Sequence, residues 1–386
     1  MKEAIRYYYT GYLNEYNVSN LLLTKSDGNY KNFKIKQTLD YLGISNRWFL
    51  VFLKKSFLLV VVVEPFLYLF VLFILLLKNC INKIGKSTRV IHNQKLFFGL
   101  YRSYDAFKNI TSSVDFEIKD FTVVIVPGHE DFYKDFKKFS LLYIVSWTDI
   151  LKSFIGSLFV IFYSSIKYCK KDLFFRSYNS FDFLLSFYAL SRLDGSNEII
   201  FHYLIDRWAY LFGSWPYKKI FIQHGILNAN ITQAKCGSIE VGYFINDSQE
   251  KLCKEKMFFN VNISKRRKQI SISSIKKIDS KKYILLICNS FFYDIEKKIL
   301  SQLKDIDAHV IIKLHPKDKN NLCYNDFLNN NSISIAKDFI DADIVISYAS
   351  SLADEYEDCG KNVFRYSPDI DREGIDSIIS KIKEIL

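Results

Sequence analysis

Short apolar runs alternate with longer stretches of helical spacing along most of this chain. The run 121–126 is apolar except for Thr122 and is followed by Pro127 and Gly128, which predicts a buried strand that ends in a turn. A strand at 20–25 and a helix at 32–43 form the expected start of the chain. Because parallel strands need crossover connections, this alternation predicts a parallel α/β sheet. The other predicted strands are 198–203, 218–223, 283–287, 309–314, 332–335, 343–346 and 362–366.

The last third of the chain has the most regular alternation. A polar run at 262–279, predicted to be a solvated loop, precedes it, and a helix is expected at 295–303. Its five strands predict a doubly wound, Rossmann-like domain, in which ligands bind at the carboxyl ends of the strands. A chain of 386 residues exceeds the usual size of one hydrophobic core. We therefore expect two domains, at 1–227 and 228–386.

The most hydrophobic segment of the chain is 57–77, which is long enough for a membrane span. Glu64 and Pro65 interrupt it, and lysines flank both of its ends. A spanning helix would separate the strand at 20–25 from the rest of its sheet. We therefore favour a helix that lies in one leaflet, with a span and a buried core helix as alternatives. Residues 153–168 are a second segment expected at the membrane interface.

The composition of the chain indicates which kind of partner the protein is expected to bind. Hydrophobic residues make up 49% of the chain, aromatic residues make up 17%, and the formal net charge is +12. The basic residues are scattered among aromatic ones and no nucleic-acid motif is present, so an anionic membrane surface is a better expected partner than nucleic acid. The seven cysteines show no metal-binding spacing, and the first residues lack the apolar core of a signal peptide. We therefore expect a cytoplasmic protein whose cysteines hold no metal. No catalytic metal is expected either, because lysine, histidine and a helix start can neutralise phosphate without one.

Polar residues gather where the predicted strands of the last third end. Lys313 lies near the end of one of these strands, and His315 and Pro316 follow it. Proline restricts the residue before it to extended backbone, which fixes His315 at the edge of the sheet. An imidazole with a lysine beside it favours a phosphate contact, and a histidine that only ends the strand is the alternative.

A second polar group follows the strand at 343–346. Ser350 and Ser351 stand where this strand gives way to a helix, so their hydroxyls and the first N–H groups of the helix can converge on an anion. Helix capping requires the same geometry. Asp354 or Glu355 can accept hydrogen bonds from ribose hydroxyls, although a surface carboxylate is the alternative for each. Together with His315, these residues predict a nucleotide site.

Three motifs carry a resemblance to a known family. In chain order they are QHG, KLHP and ADIVISYASSLADEYEDCGKNVF, and they lie between Glu198 and Phe364. They resemble the GT-B glycosyltransferases of bacterial surface polysaccharides, including HP-motif sialyltransferases and CDP-glycerol glycerophosphotransferases. The resemblance implies two Rossmann-like domains facing a cleft, with the membrane-associated helix in the first and the nucleotide in the second. It also implies that His315, Ser350 and Ser351 bind phosphate or sugar and that Asp354 or Glu355 binds ribose.

The same resemblance gives His224 a role as the general base, with binding of the acceptor or of phosphate as the alternative. An imidazole changes protonation near neutral pH and can take the proton of an acceptor hydroxyl. Gly225 permits a sharp turn or a close approach of substrate, and Gln223 stands where the teichoic-acid enzymes usually carry tryptophan, which favours a sugar as the transferred group. Asp206 and Arg207 are expected either to form an ion pair or to orient His224 or the acceptor. Sialyltransferases carry two acidic residues and a glycine for the general-base role. The nearest matches in this chain lack the first acidic residue, which counts against sialyltransferase activity.

The sequence thus predicts a glycosyltransferase on the cytoplasmic face of the bacterial inner membrane. We expect it to move a sugar from a nucleotide-sugar co-substrate to a lipid-linked or growing glycan, with no other cofactor. A CDP-glycerol or CDP-ribitol polyol-phosphate transferase would use the same site. A non-catalytic, membrane-associated assembly protein is the alternative from another class.

Overall fold

The structure is a computed structural model that describes residues 1–23, 57–99, 114, 120–126, 136–168, 179–204, 207–225, 227, 235–268, 272, 281–289, 292–314, 324, 327, 333–336, 338–348, 350–367 and 370–386. It is a mixed α/β protein with two parallel sheets, compatible with a two-domain Rossmann-like fold. The chain divides into two compact units, with the boundary between Arg267 and Lys268.

The first unit is built on a seven-stranded sheet. Its strands are β1 (Lys95–Gly99), β2 (Phe121–Ile125), β3 (Lys138–Ser140), β4 (Glu198–Phe201), β5 (Lys219–Ile222), β6 (Ile239–Phe244) and β7 (Val261–Arg266). They are parallel and lie in the order β3-β2-β1-β4-β5-β6-β7. Successive side chains point to opposite faces, so Leu96 and Phe98 enter the larger core while Phe97 enters a smaller one on the other face.

Helices cover the larger core of this sheet. They are α1 (Lys2–Leu23), α2 (Phe57–Lys83), α3 (Trp147–Tyr168), α4 (Ser180–Leu190) and α5 (Arg207–Gly213), with α6 (Asp247–Lys256) between β6 and β7. Contacts join α1 to α5, α2 to α3 and α3 to α4. Ala4, Tyr8 and Tyr12 recur at helical spacing along α1 and are all buried, which is why this segment forms an amphipathic helix.

The second unit repeats the same principle on a smaller scale. Its strands are β8 (Lys282–Cys288), β9 (Ala308–Leu314), β10 (Ile333–Ile335), β11 (Ile344–Ser347) and β12 (Asn362–Arg365), and its helices are α7 (Tyr293–Leu303), α8 (Ser351–Asp358) and α9 (Arg372–Ile385). The order is β10-β9-β8-β11-β12, and all pairs are parallel. Each sheet therefore reverses its strand order beside its first strand, and ligands of such sheets bind at this switch point.

The predicted strands from 121 onward are confirmed, and so are the helices at 57–77 and 295–303; the segment 153–168, expected at the membrane interface, lies within helix α3. Strands β1, β3, β6 and β7 were not predicted. In the described part of the chain, no helix combines the length and the apolar character needed to cross a bilayer.

Two local predictions are wrong. Residues 20–23 belong to helix α1 rather than to a strand, because a short leucine run continues the helical pattern set by Tyr8 and Tyr12. Residues 24–43 lie outside the described residues. The polar run at 262–279 is not a loop at its start, since residues 262–266 belong to β7. This is an edge strand with exposed side chains after Val261, and an edge strand does not need an apolar sequence.

The domain boundary also differs from the expected one. A division after Leu227 would fall between β5 and β6, which pair directly in the first sheet. The last strand of this sheet, β7, has a polar sequence and was not recognised as a strand. The boundary was therefore expected too near the N-terminus. Strands β6 and β7 belong to the first unit, which extends to Arg267.

Candidate active site

His224 lies just beyond the carboxyl end of β5. The four residues of this strand are buried, Gln223 is buried after them, and His224 is exposed. Its Nδ1 atom lies 2.8 Å from the backbone carbonyl oxygen of His202, which follows the neighbouring strand β4. A carbonyl oxygen only accepts hydrogen bonds, so Nδ1 of His224 carries the proton. Neutral His224 therefore keeps its lone pair on Nε2, the form that a general base requires.

His202 supports this arrangement from the interior. Its ring is 3% exposed and stacks between Phe97 and Tyr203. Burial, and then the neighbouring His224, hold the pKa of His202 well below its ordinary value, so the ring is neutral. Its Nδ1 atom lies 3.2 Å from Nδ1 of His224 and can accept a second, weaker hydrogen bond from the same N–H group. The two imidazoles thus form a pair with one exposed and one buried member.

Gln223 shapes the turn that carries His224. Its Nε2 atom donates to the carbonyl oxygen of Gly225 at 2.8 Å and to Oε1 of Gln249 at 2.7 Å. The Nη1 atom of Arg267 donates to the backbone carbonyl of Gln223 at 2.7 Å. Gln249 also accepts from the backbone N–H of Leu227 at 2.8 Å. These buried bonds give Gln223 a supporting role and fix the path of the chain on both sides of His224.

Arg207 is buried at the start of α5. Its guanidinium donates to the hydroxyl of Tyr8 at 2.7 Å and to Oδ1 of Asn179, and it lies over the ring of Tyr8. These contacts tie α5 to α1. Its predicted partner, Asp206, lies outside the described residues. The described contacts of Arg207 therefore indicate that it helps to pack α5 against α1.

Ser350 caps helix α8 at the carboxyl end of β11. Its Oγ atom accepts from the backbone N–H of Ala353 at 3.2 Å and lies 2.9 Å from Oγ of Ser347. Ser351 is the first residue of α8, and its side chain lies outside the described residues. Helix geometry leaves the N–H groups of this first turn without intrahelical partners. The first turn of α8 therefore begins just after the carboxyl end of β11, with Ser350 as its cap, and anion binding there stays a prediction.

Asp354 and Glu355, the two residues of α8 predicted to bind ribose, are both half-buried. Arg365 donates to Asp354 at 2.7 Å and to Glu357 at 2.6 Å. Burial raises the pKa of Asp354, and the Arg365 guanidinium opposes that shift. Asp354 is thus held in an ion pair at the side of α8.

Lys313 lies at the end of β9, two strands away from β11 in the sheet. Its side chain is half-buried, and its ammonium lies 5.2 Å from the centre of the Phe339 ring. Burial lowers the pKa of Lys313. His315 and Pro316, predicted to follow it, lie outside the described residues.

Asn289 and Glu296 were not predicted as site residues, yet they shape the switch point of the second sheet. Asn289 follows β8, and its Nδ2 atom donates to the hydroxyl of Tyr348, which follows β11. The fully buried Glu296 accepts from the N–H of Asn289 at 2.8 Å and from the hydroxyl of Tyr366 at 2.6 Å, and it also accepts from Tyr324. Glu296 therefore holds the loop that presents Asn289.

Burial raises the pKa of Glu296 to about 7, against the hydrogen bonds that lower it. Its ordinary value is near 4.5, so between these limits the folded unit binds a proton that the unfolded chain releases. The resulting stability is present below pH 4 and lost as the pH rises through 7, a difference of about 3 kcal/mol. Hydrogen exchange of β8 and β11 at pH 5 and pH 8 should show this loss. Glu296→Gln should abolish it, whereas Glu373→Gln, at an exposed position of α9, should leave it unchanged.

The structure brings His224, His202 and Gln223 together in the first unit, and Ser350, Ser347 and Asn289 around the switch point of the second. Among the described residues, no cluster of histidine, cysteine or carboxylate side chains could hold a metal ion. Comparison of the chain with protein-family models and with curated proteins gives no match.

Proposed function

We propose that this protein is a glycosyltransferase that moves a sugar from a nucleotide sugar to a hydroxyl of a lipid-linked or growing surface glycan. The observation that carries the proposal is the hydrogen bond from Nδ1 of His224 to the carbonyl of His202. It fixes the tautomer whose exposed ring offers a basic nitrogen at the carboxyl end of a parallel sheet. In this role His224 takes the acceptor's proton as the oxygen attacks the anomeric carbon.

The donor site of this proposal lies at the switch point of the second sheet. Asn289 and Tyr348 stand at the ends of adjacent strands β8 and β11, and α8 begins at Ser351, shortly after Tyr348. Backbone N–H groups at a helix start bind phosphate oxygens. Ser350 aligns this turn, and Lys313 supplies positive charge on the same edge of the sheet. Such a set can stabilise the departing nucleotide phosphate.

A panel of nucleotides tests the proposal. The full-length protein is mixed with CMP, CDP, UDP and GDP, and its thermal unfolding is followed. We expect one nucleotide to raise the melting temperature, and its sugar donor to be hydrolysed slowly without acceptor. Asn289→Ala should reduce the thermal shift, because it removes a donor from the switch point, while Asn262→Ala on the exposed edge strand β7 should not.

Each other result has a definite meaning. Turnover of CDP-glycerol or CDP-ribitol instead of a sugar donor would assign the polyol-phosphate reaction to the same residues. A protein that binds none of the nucleotides and hydrolyses no donor would contradict the proposal and support a non-catalytic assembly role.

A further inference from the structure

Helix α2 exposes a continuous stripe of large apolar side chains. Phe66, Phe70, Phe73, Leu77 and Ile81 recur at helical spacing, with exposed fractions of 67, 65, 51, 47 and 66%. Tyr68 and Leu72 of the same helix are buried in the core of the first unit. Since a stripe of this length is costly in water, the exposed side of α2 is the kind of surface that interacts with a partner.

Helix α3 carries a matching stripe. Trp147, Leu151, Ile155, Phe159 and Phe162 are each about half exposed, while Ile150 and Val160 are buried on the opposite side. The two helices pack against each other, and the buried side of each joins the same core. Their exposed stripes therefore both face away from the sheet. We define the apolar face as these two stripes together.

Positive charge borders the apolar face. The ammonium of Lys86 and the guanidinium of Arg89 lie 5.5 and 4.7 Å from the centre of the Tyr143 ring, close to the start of α3. Lys152 is exposed beside Leu151. Among the described side chains of α2 and α3, the single carboxylate is Asp149, which is buried and paired with Arg192. Apolar and aromatic residues bordered by cations are typical of helices that lie in the surface of an anionic membrane.

We propose that the apolar face docks on an anionic lipid bilayer, with α2 and α3 lying side by side in the interface. The buried sides of both helices exclude an arrangement in which lipid surrounds either helix. Trp147 at the start of α3 suits the headgroup region, where amphipathic rings concentrate. The proposal is independent of the transferase chemistry, although a lipid-linked acceptor would reach the protein from this side.

A second copy of the chain fits the apolar face less well. A two-fold dimer places the same surface on both sides of its interface. Both copies would then bring Lys86, Arg89 and Lys152 to the interface, and like charges across an interface are unfavourable. Anionic headgroups neutralise the same cations.

Flotation with lipid vesicles tests the docking. The full-length protein is mixed with vesicles of phosphatidylcholine, with or without phosphatidylglycerol. We expect binding to the anionic vesicles, and at least tenfold weaker binding by the double variant Phe70→Glu with Phe159→Glu. The matched control, Phe259→Glu with Ile263→Glu, changes two exposed side chains of the same unit by the same charge and should bind like the unmodified protein.

Other variants keep the test decisive. Lys86→Gln with Arg89→Gln changes exposed or half-exposed positions and should remove the preference for phosphatidylglycerol even if the first double variant does not fold. Unchanged binding by both variants, or equal loss in the matched control, would overturn the proposal. A lipid-free dimer that Phe70→Glu converts to a monomer would assign the face to a second copy instead. Donor hydrolysis should survive in every folded variant, so failure of docking and failure of the transferase proposal give different results.

Discussion

His224→Ala is expected to lower glycosyl transfer by about 10²- to 10⁴-fold while nucleotide binding stays intact. The loss follows from the proposed role of this imidazole as the proton acceptor for the attacking hydroxyl. Its tautomer is set by the carbonyl of His202 at 2.8 Å, which places the basic lone pair on Nε2. The residues proposed for the nucleotide belong to the other unit, so the thermal shift caused by the nucleotide should not change.

A second histidine gives the matched control for this variant. His92 is exposed in the same unit and forms a hydrogen bond with Asp194. His92→Ala removes an imidazole of similar exposure and should leave turnover unchanged. His224→Gln should lower glycosyl transfer as much as His224→Ala does. The glutamine amide can still donate to the carbonyl of His202, but it cannot accept the proton of the acceptor hydroxyl. Equal loss of nucleotide binding and turnover in His224→Ala would refute a role in proton transfer alone.

The sequence predicts the parts of the site that depend on local pattern. An apolar run followed by a polar residue places His224 at the end of β5 and Ser350 at the end of β11, and both positions are confirmed. The pairing of His224 with His202 could not be derived in this way. It arises because β4 and β5 are neighbours in the sheet, and strand order is a property of the whole fold rather than of either segment.

The sequence contains a signal for the burial of Glu296, although this burial was not predicted. A glutamate in the first turn of a helix is usually a solvated residue that interacts with the helix dipole. Glu296, however, shares the spacing of the buried residues Ile299, Leu300 and Leu303, which placed it on the apolar side of α7. Strand β7 is the opposite case, because its polar side chains give no apolar signal and its pairing with β6 holds it in place.

The contact between α1 and α5 explains why the first unit depends on a glycine far from the site in sequence. A Cβ atom at Gly11 would lie 2.2 Å from Cα of Arg207 and 2.9 Å from its backbone nitrogen. Both neighbours are backbone atoms, so a rotamer change cannot relieve the overlap. Helix α5 would have to move away from α1, which would also strain the buried bond from Arg207 to Tyr8. Because α5 follows the segment that carries His202, this movement would reach the imidazole pair.

Gly11→Ala should therefore lower the free energy of unfolding of the first unit by about 3 kcal/mol, despite the better helix propensity of alanine. Gly156→Ala is the matched control, since the added Cβ would meet Cδ1 of Leu184 at 2.8 Å, the end of a side chain that can rotate. That variant should stay within about 1 kcal/mol of the unmodified protein. All four tryptophans precede Arg267, so their fluorescence during urea unfolding reports on the first unit alone. Equal stability of the two variants would mean that α1 does not pack on α5 at the distance described, and the support for His202 would have to come from elsewhere.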